Sequence, residues 1–376
     1  MKQCKLVYFD HAATSYPKQR CVCKAVTRAI AEEGGNPGRS AHPLALRAAE
    51  RIFSAREVIA EFFGLPESQG VIFTKNATEA LNLAIAVFTQ KGGHVLCDDM
   101  AHNALLRPIY ALEKQGKIRL SFYPIRANKS IILRQIENDT VLICATHASN
   151  ICGACADVRA IGEAARARGI AYILDASQSA GHLPINIAEM GADAVCLPAH
   201  KGLGGIMGAG AALFLHPEKE YPAFLSGGSG AYSRMHEMPP ELPEHFEAGT
   251  LPLPAIAAFE AGVKRVKEIG LAEISGHIER LTDKLYAGLY ATRGITCHGG
   301  AGNGILSFTH KTLPPELLAE RLAKEGFALR AGLHCSPLAH QTLGTEKNGT
   351  VRISLGYTNT EKECDRFLTA LARIIK

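Results

Sequence analysis

The chain lacks the features that indicate a membrane span, a secretory leader or a nucleic-acid arm. No apolar stretch is long enough to cross a bilayer. Residues 1–18 carry acidic and polar side chains where a signal peptide has its apolar run. Lysine and arginine form no block of five or more like charges, although the net charge is +5. We therefore expect a cytoplasmic protein with no membrane partner and no nucleic-acid partner.

Cysteine is plentiful, but its pattern does not favour a disulfide scaffold. The 11 cysteines are odd in number, and several lie in apolar runs such as 141–144 and 194–197. In a reducing compartment such cysteines are small buried hydrophobic residues. The pair Cys152-x-x-Cys155 has the spacing of a redox pair or of half a metal site. No second pair of this spacing accompanies it, so we interpret it as a coincidence and expect no metal.

The order of local patterns predicts an α/β protein of two unequal domains, which suits a chain of 376 residues. Apolar residues recur at helical spacing over 44–63. Short β-branched runs then alternate with helical patterns, which is typical of a mostly parallel sheet covered on both faces. A long helical region, 255–293, precedes a smaller α/β pattern. The expected division is an N-terminal arm at 1–15 that packs with the small domain, a large domain at 16–250 and a small domain at 251–376.

Two residues at predicted strand ends point to a cofactor. Asp175 ends an apolar strand, where a carboxylate needs a partner such as a protonated pyridine nitrogen. Lys201 follows 26 positions later among small residues and glycines, and a desolvated lysine can form a Schiff base. Taken singly, each residue has a commoner explanation, as a helix cap or a loop lysine. Their order and placement together favour a pyridoxal phosphate (PLP) site.

Other polar residues follow neighbouring strands. Thr78 lies at the start of a helix, where free amides suit a phosphate, although a plain helix cap has the same pattern. An imidazole at His102 could stack on a planar cofactor and move protons. Near the C-terminus, Cys335 lies in a loop beside His334, and a thiol near cationic groups ionises to a nucleophile. Arg352, on an alternating strand, could hold a carboxylate through two parallel hydrogen bonds.

In this order the motifs resemble the class V aminotransferase family and, within it, the cysteine desulfurases. The resemblance runs through nearly the whole chain. It implies the PLP-dependent transferase fold type I, with a seven-stranded, mostly parallel sheet and a smaller α/β C-terminal domain that carries the cysteine loop. The motifs are YFDHAATSYP from Tyr8, NATEALNLA from Asn76, AHNALLRP from Ala101, THASNICG from Thr146, LDASQSAG from Leu174, AHKGLGG from Ala199, FEAGTLPLPA from Phe246, RAGLHCSP from Arg330 and VRISLGYTNT from Val351.

The resemblance assigns residues to PLP, the cofactor that it implies. Lys201 is the Schiff-base lysine, Asp175 pairs with the pyridine nitrogen and His102 stacks on the ring. Pro198 stands where the family often has a phosphate-binding Ser or Thr, so the phosphate site must be completed otherwise. The remaining contacts, to the ring oxygen and the phosphate, fall to Gln178, Asn150, Ala77, Thr78, His200 and, from the second subunit of a homodimer, Thr250.

On the substrate side the resemblance implies L-cysteine, whose sulfur passes to an acceptor protein or a small thiol. Substrate contacts fall to Arg352, Asn150 and Asn36, the last in a loop at 36–42 that ends at His42. The catalytic residues are Lys201 as base, Cys335 as the nucleophile that becomes a persulfide, and His102 as proton shuttle.

The short Arg-x-Gly-x-His-Cys loop resembles the second group of desulfurases, which includes SUF-type enzymes of iron–sulfur cluster assembly and is similar to selenocysteine lyases. Three alternatives stay open: a selenocysteine lyase, another class V lyase or aminotransferase in which Cys335 is a bystander, and an inactive sulfur-trafficking scaffold.

Overall fold

The computed structural model describes residues 6–38, 42–230, 232–300 and 303–376. Residues 1–5 of the expected N-terminal arm and residues 39–41 of the predicted substrate loop lie outside these described residues. Within them, no helix is long and apolar enough to cross a membrane.

The first part of the chain alternates strands and helices, as predicted. Its elements are β1 (Val7–Tyr8), α1 (Arg20–Ala31), α2 (Pro43–Phe63), β2 (Val71–Thr74), α3 (Ala77–Phe88), β3 (Gly93–Asp98), α4 (Asn103–Lys114), β4 (Ile118–Tyr123), α5 (Lys129–Gln135), β5 (Thr140–Thr146), α6 (Val158–Arg168), β6 (Ala171–Asp175), α7 (Ile187–Met190), β7 (Ala194–Pro198) and β8 (Gly210–Phe214).

The second part begins with two long helices and ends in a smaller α/β unit. Its elements are α8 (Leu253–Ile269), α9 (Leu271–Tyr290), β9 (Ile295–His298), β10 (Ile305–His310), α10 (Pro315–Lys324), β11 (Phe327–Ala328), β12 (Arg330–Gly332), α11 (Pro337–Thr342), β13 (Thr350–Ser354) and α12 (Glu361–Ile374). The sequence predicted a long helical region over 255–293, and the structure has two consecutive helices there. Gly270, with φ +90°, separates α8 from α9.

Seven strands form the large sheet in the order β2-β8-β7-β6-β5-β3-β4. The strands from β7 to β4 are parallel neighbours, and β8 runs antiparallel to both β7 and β2. Successive residues of the central strands enter opposite hydrophobic cores, as Ile173 and Leu174 do. The mostly parallel sheet with both faces covered is therefore confirmed.

A second sheet of four antiparallel strands, β12-β13-β10-β9, belongs to the C-terminal part. The N-terminal segment joins this part, because β1 pairs with β11 and Phe9 lies in the same core as Phe308 and Phe367. Helix α8 instead packs on α1 and α2 and adds Ile256 and Phe259 to a core of the large sheet. The exact domain boundary near residue 250 stays a prediction.

Candidate active site

The carboxyl ends of the parallel strands open into a cleft of about 530 Å³. Its walls are the segments that follow β3, β5, β6 and β7, together with the start of α3. Ligands of open α/β sheets bind at such an edge. The structure brings eight of the residues singled out in the sequence to this cleft: Ala77, Thr78, His102, Asn150, Asp175, Gln178, His200 and Lys201.

Lys201 lies in the turn after β7. Gly202 allows this turn to pack closely against the neighbouring backbone. A Cβ atom at Gly202 would lie 2.4 Å from the carbonyl oxygen of Ala180, so a larger residue would displace the turn. From the other side, the carbonyl oxygen of His200 accepts a hydrogen bond from the Ser15 amide at 2.9 Å. The lysine is thus held between the sheet and the N-terminal segment.

Lys201 and Asp175 both line the cleft, and each influences the other electrostatically. Burial lowers the pKa of Lys201 to about 8; Asp175 opposes this shift, and Arg352 adds to it. Asp175 is 3% exposed, and its Oδ1 atom accepts a hydrogen bond from the Ser177 amide at 2.9 Å. A carboxylate this deeply buried stabilises a cationic group placed beside it.

His102 is a neutral imidazole whose tautomer follows from its contact. Its Nδ1 atom accepts the Ala104 amide at 3.0 Å and so caps α4. Burial, reinforced by Lys201, lowers the pKa of His102 to about 4. The ring proton therefore lies on Nε2, which can donate to a partner while Nδ1 is engaged.

The start of α3 lies at one end of the cleft. Asn76 caps this helix by accepting the Glu79 amide at 3.0 Å. The amides of Ala77 and Thr78 precede the first intrahelical hydrogen bonds, and such amides bind anions. The buried Nδ1 atom of His200, also on the cleft, has no hydrogen-bond partner within the described chain.

Two hydroxyl-bearing residues of the cleft were missed by sequence reasoning. Thr146 ends β5 and Ser177 follows β6, and both line the cleft with Pro198. Pro198 offers no hydroxyl, so these two residues are candidates to complete an anion site. The available signal was their position at strand ends inside the motifs.

The Gln178 side chain joins the cleft to the N-terminal segment. Its Nε2 atom donates to the carbonyl oxygen of Ala12 at 3.0 Å, and the residue is 9% exposed. The second hydrogen of this amide is left for another acceptor.

Cys335 lies in an exposed turn between β12 and α11 with an uncommon backbone. Its φ is +59° and that of His334 is +47°, conformations that cost about 1–3 kcal/mol in residues other than glycine. Among its hydrogen bonds, three tie the turn to Asn150 and to α4. Asn150 Nδ2 donates to the His334 carbonyl at 2.9 Å, Ser336 Oγ donates to Asn150 Oδ1 at 2.7 Å, and the Asn103 amide donates to the Cys335 carbonyl at 2.8 Å. Asn150 therefore ties the cysteine turn to the cleft.

The cationic surroundings of Cys335 come from residues distant in sequence. Burial, with a further contribution from Arg352, lowers the pKa of His334 to about 3, so its imidazole carries no charge at neutral pH. Burial also lowers the pKa values of Lys201 and Arg352, and a thiolate at Cys335 acts against both shifts. The sequence neighbour His334 thus supplies no charge, whereas these two cations do.

Arg352 lies beside the cleft, 3% exposed, and the protein holds two of its nitrogens. Nη1 donates to the Asn150 carbonyl at 3.1 Å and Nη2 to Asp10 Oδ1 at 3.1 Å, whereas Nε has no partner within the described chain. Sequence reasoning missed Asp10, although it lies in the first motif.

Asn36 and Thr250 are not brought to this cleft. Both are exposed and line a separate cavity of about 1340 Å³ with Phe53 and Arg56. His42, at the end of the predicted substrate loop, caps α2 by accepting the Ala45 amide at 3.3 Å. Within one chain these residues are therefore separate from Lys201.

The Cys152–Cys155 pair lies in the hairpin that carries Asn150. Both thiols are free, and burial raises the pKa of Cys155. In the part of the chain that the structure describes, no cluster of three or more His, Cys, Asp or Glu residues is arranged to hold a metal ion.

Comparison with known proteins gives consistent matches. The sequence model of the family described as aminotransferase class-V matches residues 7–367. A probable cysteine desulfurase of Methanothermobacter thermautotrophicus is 33% identical, over 95% of this chain and 92% of that protein. One from Mycolicibacterium paratuberculosis is 31% identical, over 98% of this chain but 55% of that protein. The apo structure of the cysteine desulfurase from Thermococcus onnurineus NA1 superposes with a TM-score of 0.90 at 26% identity, covering 98% of this chain and 94% of that one.

Proposed function

This chain belongs to the class V aminotransferase family, and from that premise we propose that it is a PLP-dependent cysteine desulfurase. The reaction converts L-cysteine to L-alanine and leaves a persulfide on Cys335 for an acceptor thiol. The observation that carries the proposal is the meeting of Lys201 and Asp175 in one cleft, with the Cys335 turn tied to that cleft through Asn150. The likeness to proteins named probable cysteine desulfurase supports the same activity.

The residues of the cleft fit PLP. The buried Asp175 carboxylate suits a pyridinium nitrogen, and the lowered pKa of Lys201 suits a covalent link to an aldehyde. The amides of Ala77 and Thr78 and the unpartnered Nδ1 atom of His200 suit a phosphate. When bound, PLP supplies an electron sink for negative charge at the substrate Cα.

The protein's own groups account for the remaining chemistry. Arg352 binds the substrate carboxylate and thereby fixes the direction of the thiol-bearing arm. Lys201, whose lowered pKa makes the neutral amine accessible, would remove the Cα proton of the substrate. Neutral His102 would lie against the cofactor ring, with its Nε2–H as a hydrogen-bond donor to a group that gains or loses a proton.

The sulfur step is a displacement at the substrate sulfur. The Cys335 thiolate forms an S–S bond, the Cβ–S bond of the substrate breaks, and its electron pair passes to the carbon fragment, which takes up a proton to give L-alanine. The net change is L-cysteine plus a thiol to L-alanine plus a persulfide, with no external oxidant. The exposed position of Cys335 leaves the persulfide open to an acceptor.

We infer that the working unit is a homodimer. The cavity that contains Asn36 and Thr250 has Phe53, 63% exposed, on its wall. Further exposed apolar side chains lie on α2 and on the segment between β7 and α8, among them Leu46, Met207, Leu225 and Met235. A second copy would cover these apolar side chains and could complete the cleft with Thr250.

Replacing Cys335 with alanine tests the proposal. We expect sulfide release from L-cysteine to fall roughly a thousandfold or more, as when a catalytic nucleophile is removed, while the absorbance of bound PLP stays. Cys23→Ala, a change to an exposed thiol on α1, is the matched control and should keep full activity.

The outcomes separate the alternatives. Desulfuration by Cys335→Ala at the wild-type rate would show that the nucleophile is assigned wrongly. Loss of cysteine activity with unchanged cleavage of selenocysteine would favour a selenocysteine lyase. Product analysis over a panel of amino acids would reveal another class V activity, and a purified wild-type protein that binds no PLP would favour an inactive scaffold.

A further inference from the structure

One carboxylate, that of Asp10, bridges two guanidinium groups beside the cleft. Its Oδ1 atom accepts from Nη2 of the buried Arg352 at 3.1 Å. Its Oδ2 atom accepts from Nη2 of Arg330 at 3.0 Å and from Nε of the same residue at 3.3 Å. Arg330 begins β12, the strand that leads to the Cys335 turn.

Without the Asp10 carboxylate, the two guanidinium groups would repel each other. Arg330 and Arg352 are directly opposed in the antiparallel pair β12–β13, and like charges at opposed positions destabilise a sheet. Burial and Arg330 both lower the pKa of Arg352, whereas Asp10 raises it. A charge buried as deeply as that of Arg352 needs an ionic partner, and Asp10 is the carboxylate that meets it.

Asp10 is itself fixed on both sides by the backbone. The Ser354 amide donates to the Phe9 carbonyl at 2.8 Å, and the Ala12 amide donates to Ser354 Oγ at 2.9 Å. The N-terminal segment is thereby bound to the end of β13, two residues beyond Arg352. The Asp10 side chain is only 15% exposed, so its ion pair with Arg352 is better shielded from solvent than an ion pair on the surface.

We propose that Asp10 is the positioning residue for Arg352, turning its guanidinium toward the carboxylate of an amino-acid substrate. This inference rests on the proposed function, in which Arg352 binds that carboxylate. Nη1 is held by the Asn150 carbonyl and Nη2 by Asp10, so the plane of the guanidinium is set by two fixed acceptors. Nε, which has no partner among the residues that the structure describes, and the remaining Nη hydrogens are the donors left for a substrate.

The same geometry is also compatible with competition between Asp10 and the substrate, and this alternative predicts the opposite change in substrate affinity. If Asp10 competed with the substrate carboxylate for Arg352, its removal would tighten substrate binding. If it positions Arg352, its removal weakens binding, because a misaligned guanidinium loses the two parallel hydrogen bonds that recognise a carboxylate. The sign of the change therefore decides between the two.

The test uses PLP-loaded protein and two amines that differ in a carboxylate, L-alanine and ethylamine. Their affinities are measured by titration of the cofactor absorbance, for wild type and for Asp10→Asn. We expect the variant to bind L-alanine about tenfold to a hundredfold more weakly, the effect of losing hydrogen bonds to a charged group, and ethylamine as wild type does. In turnover the KM for L-cysteine should rise by a similar factor, with kcat changed less.

Two further variants guard against an effect on folding. Asp10→Asn combined with Arg330→Gln removes the opposed like charges together with the bridge, so it should keep the fold while still binding L-alanine weakly. Glu268→Gln removes a carboxylate from an exposed pair with Arg265 and should leave L-alanine affinity unchanged. Thermal unfolding of each variant reports on stability separately from recognition.

Failure of this inference and failure of the proposed function give different results. Equal or tighter binding of L-alanine by Asp10→Asn would overturn the positioning role. A wild-type protein that desulfurates cysteine but binds L-alanine and ethylamine alike would also overturn it and leave the proposed function standing. Carboxylate-selective binding that is lost in Asp10→Asn, in a protein that releases no sulfide, would support the positioning role and refute the desulfurase activity.

Discussion

Burial sets the chemistry of the key side chains at the scale of single residues. It lowers the pKa of Lys201 to about 8 and that of His102 to about 4, so an easily deprotonated amine and a neutral imidazole lie in one cleft. A lysine in water, with a pKa near 10.4, is almost wholly protonated at neutral pH and reacts slowly with aldehydes. The cleft therefore prepares Lys201 for a carbonyl cofactor before any cofactor arrives.

This shift predicts a pH profile for PLP attachment. In cofactor-free protein mixed with PLP, we expect the rate of covalent attachment to rise about tenfold per pH unit and to level off above about pH 8, because the deprotonated amine is the nucleophile. Stopped-flow absorbance measures this rate. With Nα-acetyl-lysine as a standard, the attachment rate should go on rising toward pH 10. The Lys75→Ala variant should show the same rate profile as wild type, and Lys201→Ala should form no covalent adduct. A rate that rises without a plateau to pH 10 in the wild type would contradict the lowered pKa.

At the scale of elements, close backbone contacts place the lysine turn. Helix α8 crosses this turn at Gly262, where a Cβ atom would lie 2.1 Å from the carbonyl oxygen of Leu203. Such an approach is open to glycine alone, because a rigid carbonyl cannot move as the end of a side chain can. The cysteine turn is placed in a similar way, by hydrogen bonds to α4 and to the hairpin of Asn150 rather than by its own sequence.

Two helical glycines form a matched pair for testing this packing. Gly262→Ala should destabilise the protein by about 1–3 kcal/mol, the usual cost of overpacking, and weaken PLP binding by displacing the Lys201 turn. Gly276→Ala, in α9, meets only the flexible end of Arg280 at 3.7 Å and should stabilise by about 0.5–1 kcal/mol through helix propensity. Chemical denaturation and PLP titration measure the two effects. Equal changes in the free energy of unfolding of both variants would show that the close approach of Gly262 to Leu203 does not limit the size of the residue at position 262.

At the scale of the whole molecule, the two separate cavities bear on whether the protein works as a homodimer. The Lys201 cleft and the cavity with Asn36 and Thr250 share no lining residue. A homodimer that places Thr250 of one subunit at the phosphate of the other would join them, and the exposed apolar side chains around Phe53 favour such an interface.

Mixing two inactive variants tests this arrangement. A Lys201→Ala chain keeps Thr250, and a Thr250→Ala chain keeps Lys201, so a hybrid dimer has one complete site if Thr250 acts across the interface. After joint refolding of equal amounts we expect PLP binding and desulfuration to recover to about a quarter of wild type, by random pairing in a two-fold dimer. Sedimentation of wild type should show a dimer. No recovery in a confirmed hybrid would mean that Thr250 acts within its own chain or not at all.

The sequence alone was enough for much of the architecture and for the members of the cleft. Apolar runs at 71–74, 141–144 and 171–174 predicted strands that the structure contains, because a buried parallel strand needs continuous apolar residues. Polar residues that follow apolar runs, such as Asp175 after 171–174 and His102 after 94–97, had to meet at one edge, because parallel strands share their carboxyl ends. Both inferences depend only on the order and spacing of residues along the chain, and the sequence gives these directly.

Contacts between residues far apart in sequence were decided by the tertiary structure. Asp10 and Arg352 are 342 positions apart, and no local pattern marks Asp10 as the partner of a buried guanidinium. The neutrality of His334, the engagement of Asn150 with the cysteine turn, and the separation of Thr250 from Lys201 depend likewise on which segments pack together. The physical reason is that burial and hydrogen-bond partners, which set charge and orientation, are properties of the folded neighbourhood and not of the residue's own segment.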